Sequence, residues 1–186
     1  MRAGETYSLY DRLMSLPEGL TGEILNCQLH AQPRPSGSHM GVESALQIEL
    51  GGPFDRGRDG PGGWRILMEP EIHFLRDQEV CVPDLAGWRR KRLPQLPRGQ
   101  RFEVVPDWVC EILLPSTESK DRQIKMPIYA RYLVGFAWLV DPLHGTLEGF
   151  ALEIEGWRQL GTWRGNETIA VPPFDAVQIS LRDLWT

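Results

Sequence analysis

The sequence is poor in lysine and has no disulfide framework, no long apolar run and no surplus of positive charge. Among its twenty basic residues only Lys91, Lys120 and Lys125 are lysines. Its three cysteines, Cys27, Cys81 and Cys110, contain no Cys-x-x-Cys spacing, which argues against a disulfide scaffold and a zinc site alike. Two of them fall in apolar, strand-like runs and read as small buried hydrophobes in a reducing setting, so a cytoplasmic protein is expected. No apolar stretch approaches the roughly 20 residues that span a bilayer, and the opening MRAGETYSLYDRL lacks the apolar centre of a secretory signal. No membrane association is expected. A net charge of −5 gives no overall electrostatic attraction to nucleic acid. Gly51 to Gly63, GGPFDRGRDGPGG, is rich in glycine but carries neither GxGxxG nor GKS/GKT, so it reads as a turn region and exposed loop. There is no internal repeat and no low-complexity tract.

What is present is ordinary globular material. The chain of 186 residues, 41% hydrophobic and 24% charged, is long enough for one domain over 1–186 with a substantial core. Tyr7 to Leu16 reads as a short helix ended by Pro17 and Gly19. Gly22 to Gln32 alternates as a strand, and PRPSGSHMG breaks it. Met40 to Leu50 places Val42, Leu46 and Leu50 at helical spacing, with Ala45 and Ile48 widening the apolar face. Strands are expected at Trp64–Met68, Glu71–Leu75 and Glu79–Val82, then an arginine-rich loop, then a buried strand within Pro106–Leu114. Glu118 to Leu133 is helical in composition, capped by Ser116 or Thr117, with Pro127 expected to kink or restart it. Val134–Val140, the pair Thr146–Glu155 and Gly156–Trp163, and Ile179–Trp185 complete the list. This order predicts an α/β or α+β fold around a central mixed sheet.

The charge is unevenly placed. Asp84 to Arg101, DLAGWRRKRLPQLPRGQR, carries six basic residues against one acid on an acidic chain. Arg89, Arg90, Lys91 and Arg92 form either a solvated loop or a surface that follows a phosphate backbone.

Two carboxylates are harder to explain. Glu111 interrupts the apolar run Trp108–Leu114, and burying an unpaired carboxylate costs several kcal/mol. Alternation places it with Val109 and Leu113 on one face, so it requires a partner or a half-covered face. An ion pair to an arginine of the basic loop is one solution. Asp84 follows the run Val80–Val82 directly after Pro83, where a strand fixes its direction and a loop leaves it open. Lys125 stands four residues after Asp121, either as a local ion pair or reaching the space between Asp84 and Glu111. Two open carboxylates suit Mg²⁺, which keeps several waters and completes its shell with substrate phosphate. A nearby ammonium fits the charge that gathers at phosphorus during hydrolysis.

In this order (PD, a glutamate in an apolar strand, then a helix bearing lysine) the chain resembles the PD-(D/E)XK restriction-endonuclease-like superfamily. More narrowly it resembles the bacterial Uma-type restriction endonuclease family. The stretches that carry the resemblance are GEILNCQL, EPEIHF, VPDLAGWRRKRLP, PDWVCEILLPST, DRQIKMPIYA and FAWLVDP. The resemblance implies a restriction-endonuclease-like mixed β-sheet flanked by helices, a Mg²⁺ or Mn²⁺ site and hydrolysis of DNA phosphodiester bonds. It makes Asp84 and Glu111 metal ligands and catalytic residues, and Lys125 the catalytic lysine. Glu23 matches an additional carboxylate that supports the metal, and His39 matches a histidine found before a helix, here read as a cap or surface residue. Leu113 stands where the simple motif has lysine, so that charge is expected from the following helix. Arg89, Arg90, Lys91 and Arg92 are the expected nucleic-acid contacts, and cutting both strands of a duplex favours a homodimer. The competing expectation is a catalytically inactive module on the same fold that binds nucleic acid or protein. A sugar-processing enzyme, raised by seven tryptophans and paired carboxylates, is disfavoured because Trp88, Trp108 and Trp138 lie in or beside strand runs.

Overall fold

The computed structural model describes residues 7–33 and 37–185. The first six residues of the opening segment and positions 34–36 of the break after Gln32 lie outside the described residues. The first helix, α1 (Leu9–Met14), begins at a reciprocal cap: the Ser8 hydroxyl accepts from the Asp11 amide, and the Asp11 carboxylate accepts from the Ser8 amide. Next, β1 (Leu20–Leu25) and β2 (Gln28–Pro33) form an antiparallel hairpin where one strand was expected. Asn26 and Cys27 turn it with φ of 50° and 61°, the backbone of a two-residue hairpin turn. The register pairs Ile24 with Leu29 and Leu25 with Gln28, so the turn exchanges the faces that one straight strand would have given to β2.

Helix α2 (Ser38–Leu50) buries Val42, Leu46 and Leu50 as expected, but Ile48 is 71% exposed. His39 and Glu43 share the buried face instead. The glycine-rich stretch after it is not simply an open loop. Gly51–Asp55 continues the helix as one wide turn, and Phe54 is buried against Phe174.

Three strands follow as expected: β3 (Trp64–Met68), β4 (Glu71–Leu75) and β5 (Glu79–Cys81). The arginine-rich segment corrects the loop reading. Its first half is a strand, β6 (Leu85–Arg89), buried up to Trp88, because Leu85, Ala86, Gly87 and Trp88 are apolar or small and the basic run begins only at its last residue. The short β7 (Arg101–Phe102) precedes β8 (Trp108–Ile112), which is buried throughout. The helical segment then runs as α3 (Glu118–Lys120), a wide turn over Asp121–Lys125 and α4 (Met126–Arg131). Pro127 falls in the first turn of α4, where its missing N–H is tolerated. The strands β9 (Phe136–Asp141), β10 (Thr146–Glu153), β11 (Gly156–Arg164), β12 (Thr168–Ile169) and β13 (Ile179–Ser180) complete the chain, with Leu181–Leu184 as a closing helical turn.

The fold is α+β, with two mixed sheets in place of the single central one expected. One has the order β2-β1-β5-β4-β7 and the other β11-β10-β9-β8-β6-β3; a small pair, β12-β13, stands apart. One face of the six-stranded sheet, with Trp108, Cys110, Ile112 and Trp138, packs on α2 and the C-terminal turn. The opposite face, with Ala86, Trp88, Val109 and Leu113, packs on Leu25, Ile72 and Cys81 of the five-stranded sheet and on Met126, Ile128 and Tyr129 of α4. Trp88, Trp108 and Trp138 are fully buried core residues, which leaves no stacking platform for a sugar there. No helix among the described residues is long and apolar enough to cross a membrane.

Candidate active site

Asp84 leaves β5 after Val82 and Pro83 and enters β6, which pairs antiparallel with β8 at Leu85 and Cys110. Extending that register by one pair sets Asp84 opposite Glu111. The Asp84 carboxylate accepts from the Ile112 amide at 2.6 Å, and its other oxygen lies 3.2 Å from His39 Nε2. His39 therefore neither caps α2 nor faces solvent: it is 3% exposed and turned toward Asp84.

Glu111 points with Val109 and Leu113, as alternation requires, and it is 2% exposed. Its partner is a lysine of the next helix, not an arginine of the basic segment. Lys125 Nζ lies 2.8 Å from each Glu111 oxygen, 3.0 Å from Glu23 Oε1, and donates to the Val82 carbonyl at 3.1 Å. Its i,i+4 neighbour Asp121 stands at 4.0 Å, so the local pair and the reach into the site coexist. The Tyr129 hydroxyl donates to Glu111 as well. Glu23, on β1, also accepts from the Val82 amide at 2.9 Å and from Lys120 Nζ at 2.6 Å, while Lys120 reaches Gln32 at 2.6 Å.

Four carboxylates, Glu23, Asp84, Glu111 and Asp121, thus face two ammonium groups in a dry setting. Burial pulls the Lys125 ammonium down, but Glu111, Glu23, Asp121 and Asp84 outweigh it and hold its pKa well above the usual lysine range. Burial pushes the Glu111 carboxyl up; Lys125 opposes the push, and Asp121, Asp84 and Glu23 add to it. For Glu23 burial also pushes up, but Lys125 and Lys120 overcome it, so this carboxyl lies below its ordinary value. On α2, burial and then Asp84 and Glu69 raise Glu43 to about 7.

A cavity of about 200 Å³ opens onto this cluster, lined by Asp84, Glu111, Asp121, Lys125, His39 and Glu69 among others. Asp84 and Glu111 offer it hard carboxylate oxygens, and no cysteine lines it among the described residues, the chemistry that Mg²⁺ or Mn²⁺ prefers over zinc or copper. Among the described residues no three His, Cys, Asp or Glu side chains converge on one coordination point. Two carboxylates with the remaining positions left to water or phosphate are the arrangement that fits.

Of the expected site residues, the fold brings Glu23, Asp84, Glu111 and Lys125 together. It does not bring Arg89 to Arg92 there. Asp84 precedes β6 and Arg89 ends it, about 16 Å away along an extended strand. Arg89 lies over the Trp64 ring at 4.0 Å, Arg90 pairs with Asp55 at 2.5 Å and Arg92 with Asp107 at 2.8 Å; Lys91 is exposed. Sequence reasoning missed Lys120, Tyr129 and Glu43. Tyr129 follows Lys125 by four residues on one helical face, and Glu43 sits at a core-facing position of α2, which were the available signals.

Mixed sheets flanked by helices, as here, are a restriction-endonuclease-like fold. The chain belongs to the family described as "Putative restriction endonuclease" (Uma2), which it matches over residues 8–182. The crystal structure of a putative nuclease belonging to DUF820 from Anabaena variabilis ATCC 29413 has the same fold, with a TM-score of 0.76 and 20% identity over 96% of this chain and 97% of that one. No curated protein matches the sequence.

Proposed function

We propose that the chain is a Mg²⁺- or Mn²⁺-dependent nuclease that hydrolyses phosphodiester bonds of DNA. The observation that carries this reading is the Lys125 ammonium held on Glu111 inside a cavity that Asp84 also lines. Asp84 and Glu111 would hold the cation, which when bound supplies Lewis-acid polarisation of the phosphoryl group and a more acidic water. The chain's own residues do the rest. The Ile112 amide and His39 orient Asp84; Tyr129 and Lys125 orient Glu111. Because its surroundings keep Lys125 protonated, it acts as a fixed positive charge beside the phosphorus and not as a general base. The water oxygen forms the new bond to phosphorus as the ester P–O bond breaks, and the proton that the water gives up passes through solvent to the leaving alkoxide.

Glu23 anchors Lys125 in this arrangement and would be a further carboxylate beside the cation. Leu113, at the position of the motif lysine, is buried in the apolar core, so the migrated lysine is the charge available. A cut through both strands of a duplex would call for a homodimer with two sites, and three unpaired cysteines accord with a cytoplasmic setting. The missing motif lysine is also what favours the alternative, an inactive module that binds nucleic acid or protein. The two part in one experiment: incubation of single- and double-stranded DNA with Mg²⁺ or Mn²⁺, wild type beside Asp84→Asn and Glu111→Gln. Cleavage lost in both variants, with melting temperatures held or raised, supports the nuclease. Binding without cleavage in the wild type supports the module.

A further inference from the structure

Two further cavities share lining residues with the central one. The central one shares Thr21, Glu69 and Val82 with a groove of about 710 Å³ on one side. It shares Gln32, Pro33, Ser116 and Thr117 with a cavity of about 510 Å³ on the other. The two flanks differ in chemistry. The larger groove is lined by Leu13, Met14, Met68, Leu96 and Phe102, with Thr21, Glu69, Glu71 and Gln100 as polar groups and, among the described residues, no lysine or arginine. Met14, Met68 and Leu96 are 54%, 43% and 47% exposed, a concentration of open apolar surface that marks a binding face. The smaller cavity offers His30, Ser116, Thr117 and Lys120, hydroxyl and cationic donors suited to phosphate.

Resting on the nuclease reading, we propose that the substrate is a single DNA strand threaded through the three cavities, with an unpaired base in the apolar groove. Glu69, which has no ion-pair partner among the described residues, repels phosphate there, whereas an apolar wall takes a base face and the same carboxylate accepts from a base amino group. The scissile phosphate then lies in the central cavity and the next one at Lys120. A base held in a paired, stacked duplex cannot enter this side groove without being flipped out.

The test is fluorescence anisotropy of a labelled 16-nucleotide strand and its blunt duplex with Glu111→Gln protein, alone and combined with Met14→Glu and Leu96→Glu. Both added substitutions lie at exposed positions, and unchanged melting temperatures confirm the fold. The single strand is expected to bind at least about tenfold tighter than the duplex, and the added glutamates to weaken it about tenfold. Equal or tighter duplex binding overturns the proposal, as does indifference to the glutamates. A wild-type dimer that Met14→Glu dissociates in sedimentation equilibrium gives the groove to a second copy and also overturns it. Cleavage by wild-type protein is scored separately. Single-strand binding through the groove with no cleavage removes the nuclease and keeps the subsite; duplex cleavage with no strand preference does the reverse.

Discussion

Lys125 and Glu111 form an ion pair at the seam between the two sheets: one ammonium, from the turn before α4, meets Glu111 of the six-stranded sheet at 2.8 Å and Glu23 of the five-stranded sheet at 3.0 Å. The carboxylate that looked out of place in an apolar strand is therefore part of a joint that crosses the core.

Removing Lys125 leaves several buried carboxylates without their cation. Lys125→Met is expected to cost about 3–5 kcal/mol in urea unfolding. Glu111→Gln removes a buried carboxyl that burial pushes above its ordinary value and leaves Lys125 with Glu23, so stability is held or rises. The double variant is expected to be more stable than the sum of the singles requires, a coupling that a double-mutant cycle reads directly.

The same cluster sets a pH window. The Glu23 carboxyl is depressed in the folded protein, so its contribution is present above its ordinary value of 4.5 and lost as pH falls through the folded value. The raised Lys125 contributes below its ordinary 10.5 and is lost only as pH rises through its higher folded value. Wild type should therefore exceed Glu23→Gln in stability at pH 7 and lose that advantage at pH 3. Unfolding curves at the two pH values decide it.

Glu43 behaves in the opposite sense. Its carboxyl is raised to about 7, so folding favours the protonated form and stability falls as pH climbs from 4.5 through 7. Glu43→Gln is expected to stabilise by about 1–2 kcal/mol at pH 8 and by little at pH 4.5, read by denaturant titration at both. A variant that is less stable at pH 8 would mean that the charged carboxylate has a partner.

Much of this was legible because alternation and apolar content are strong signals in buried strands. Trp108–Ile112 and Phe136–Asp141 announce themselves, and an acid inside such a run demands a partner whatever the fold. What a short alternating stretch does not show is a tight turn made without glycine or proline, hence the hairpin at Asn26–Cys27 read as one strand. Nor does local charge density reveal where a strand ends: the arginines drew Leu85–Trp88 into a loop that is core. The pairing of Lys125 with Glu23, about a hundred residues apart, depends on how two sheets meet, and a single sequence carries no record of it.

The basic segment yields the last prediction. Arg90 and Arg92 already satisfy Asp55 and Asp107, and Arg89 is laid over Trp64, whereas Lys91 is exposed with no ion-pair partner among the described residues. If these residues follow a phosphate backbone, Lys91 is the one free to do so at no structural cost. Lys91→Ala is expected to lower the salt slope of single-strand binding by about 0.7 and to leave the melting temperature unchanged. Arg90→Ala should instead cost up to about 1 kcal/mol of stability, the ceiling for a part-exposed pair, with the smaller effect on the salt slope. Anisotropy at several salt concentrations beside thermal unfolding separates the two. A flat salt slope in Lys91→Ala would leave the segment as the solvated end of β6, with its arginines serving the fold, and the strand's phosphates would then have to be met at Lys120.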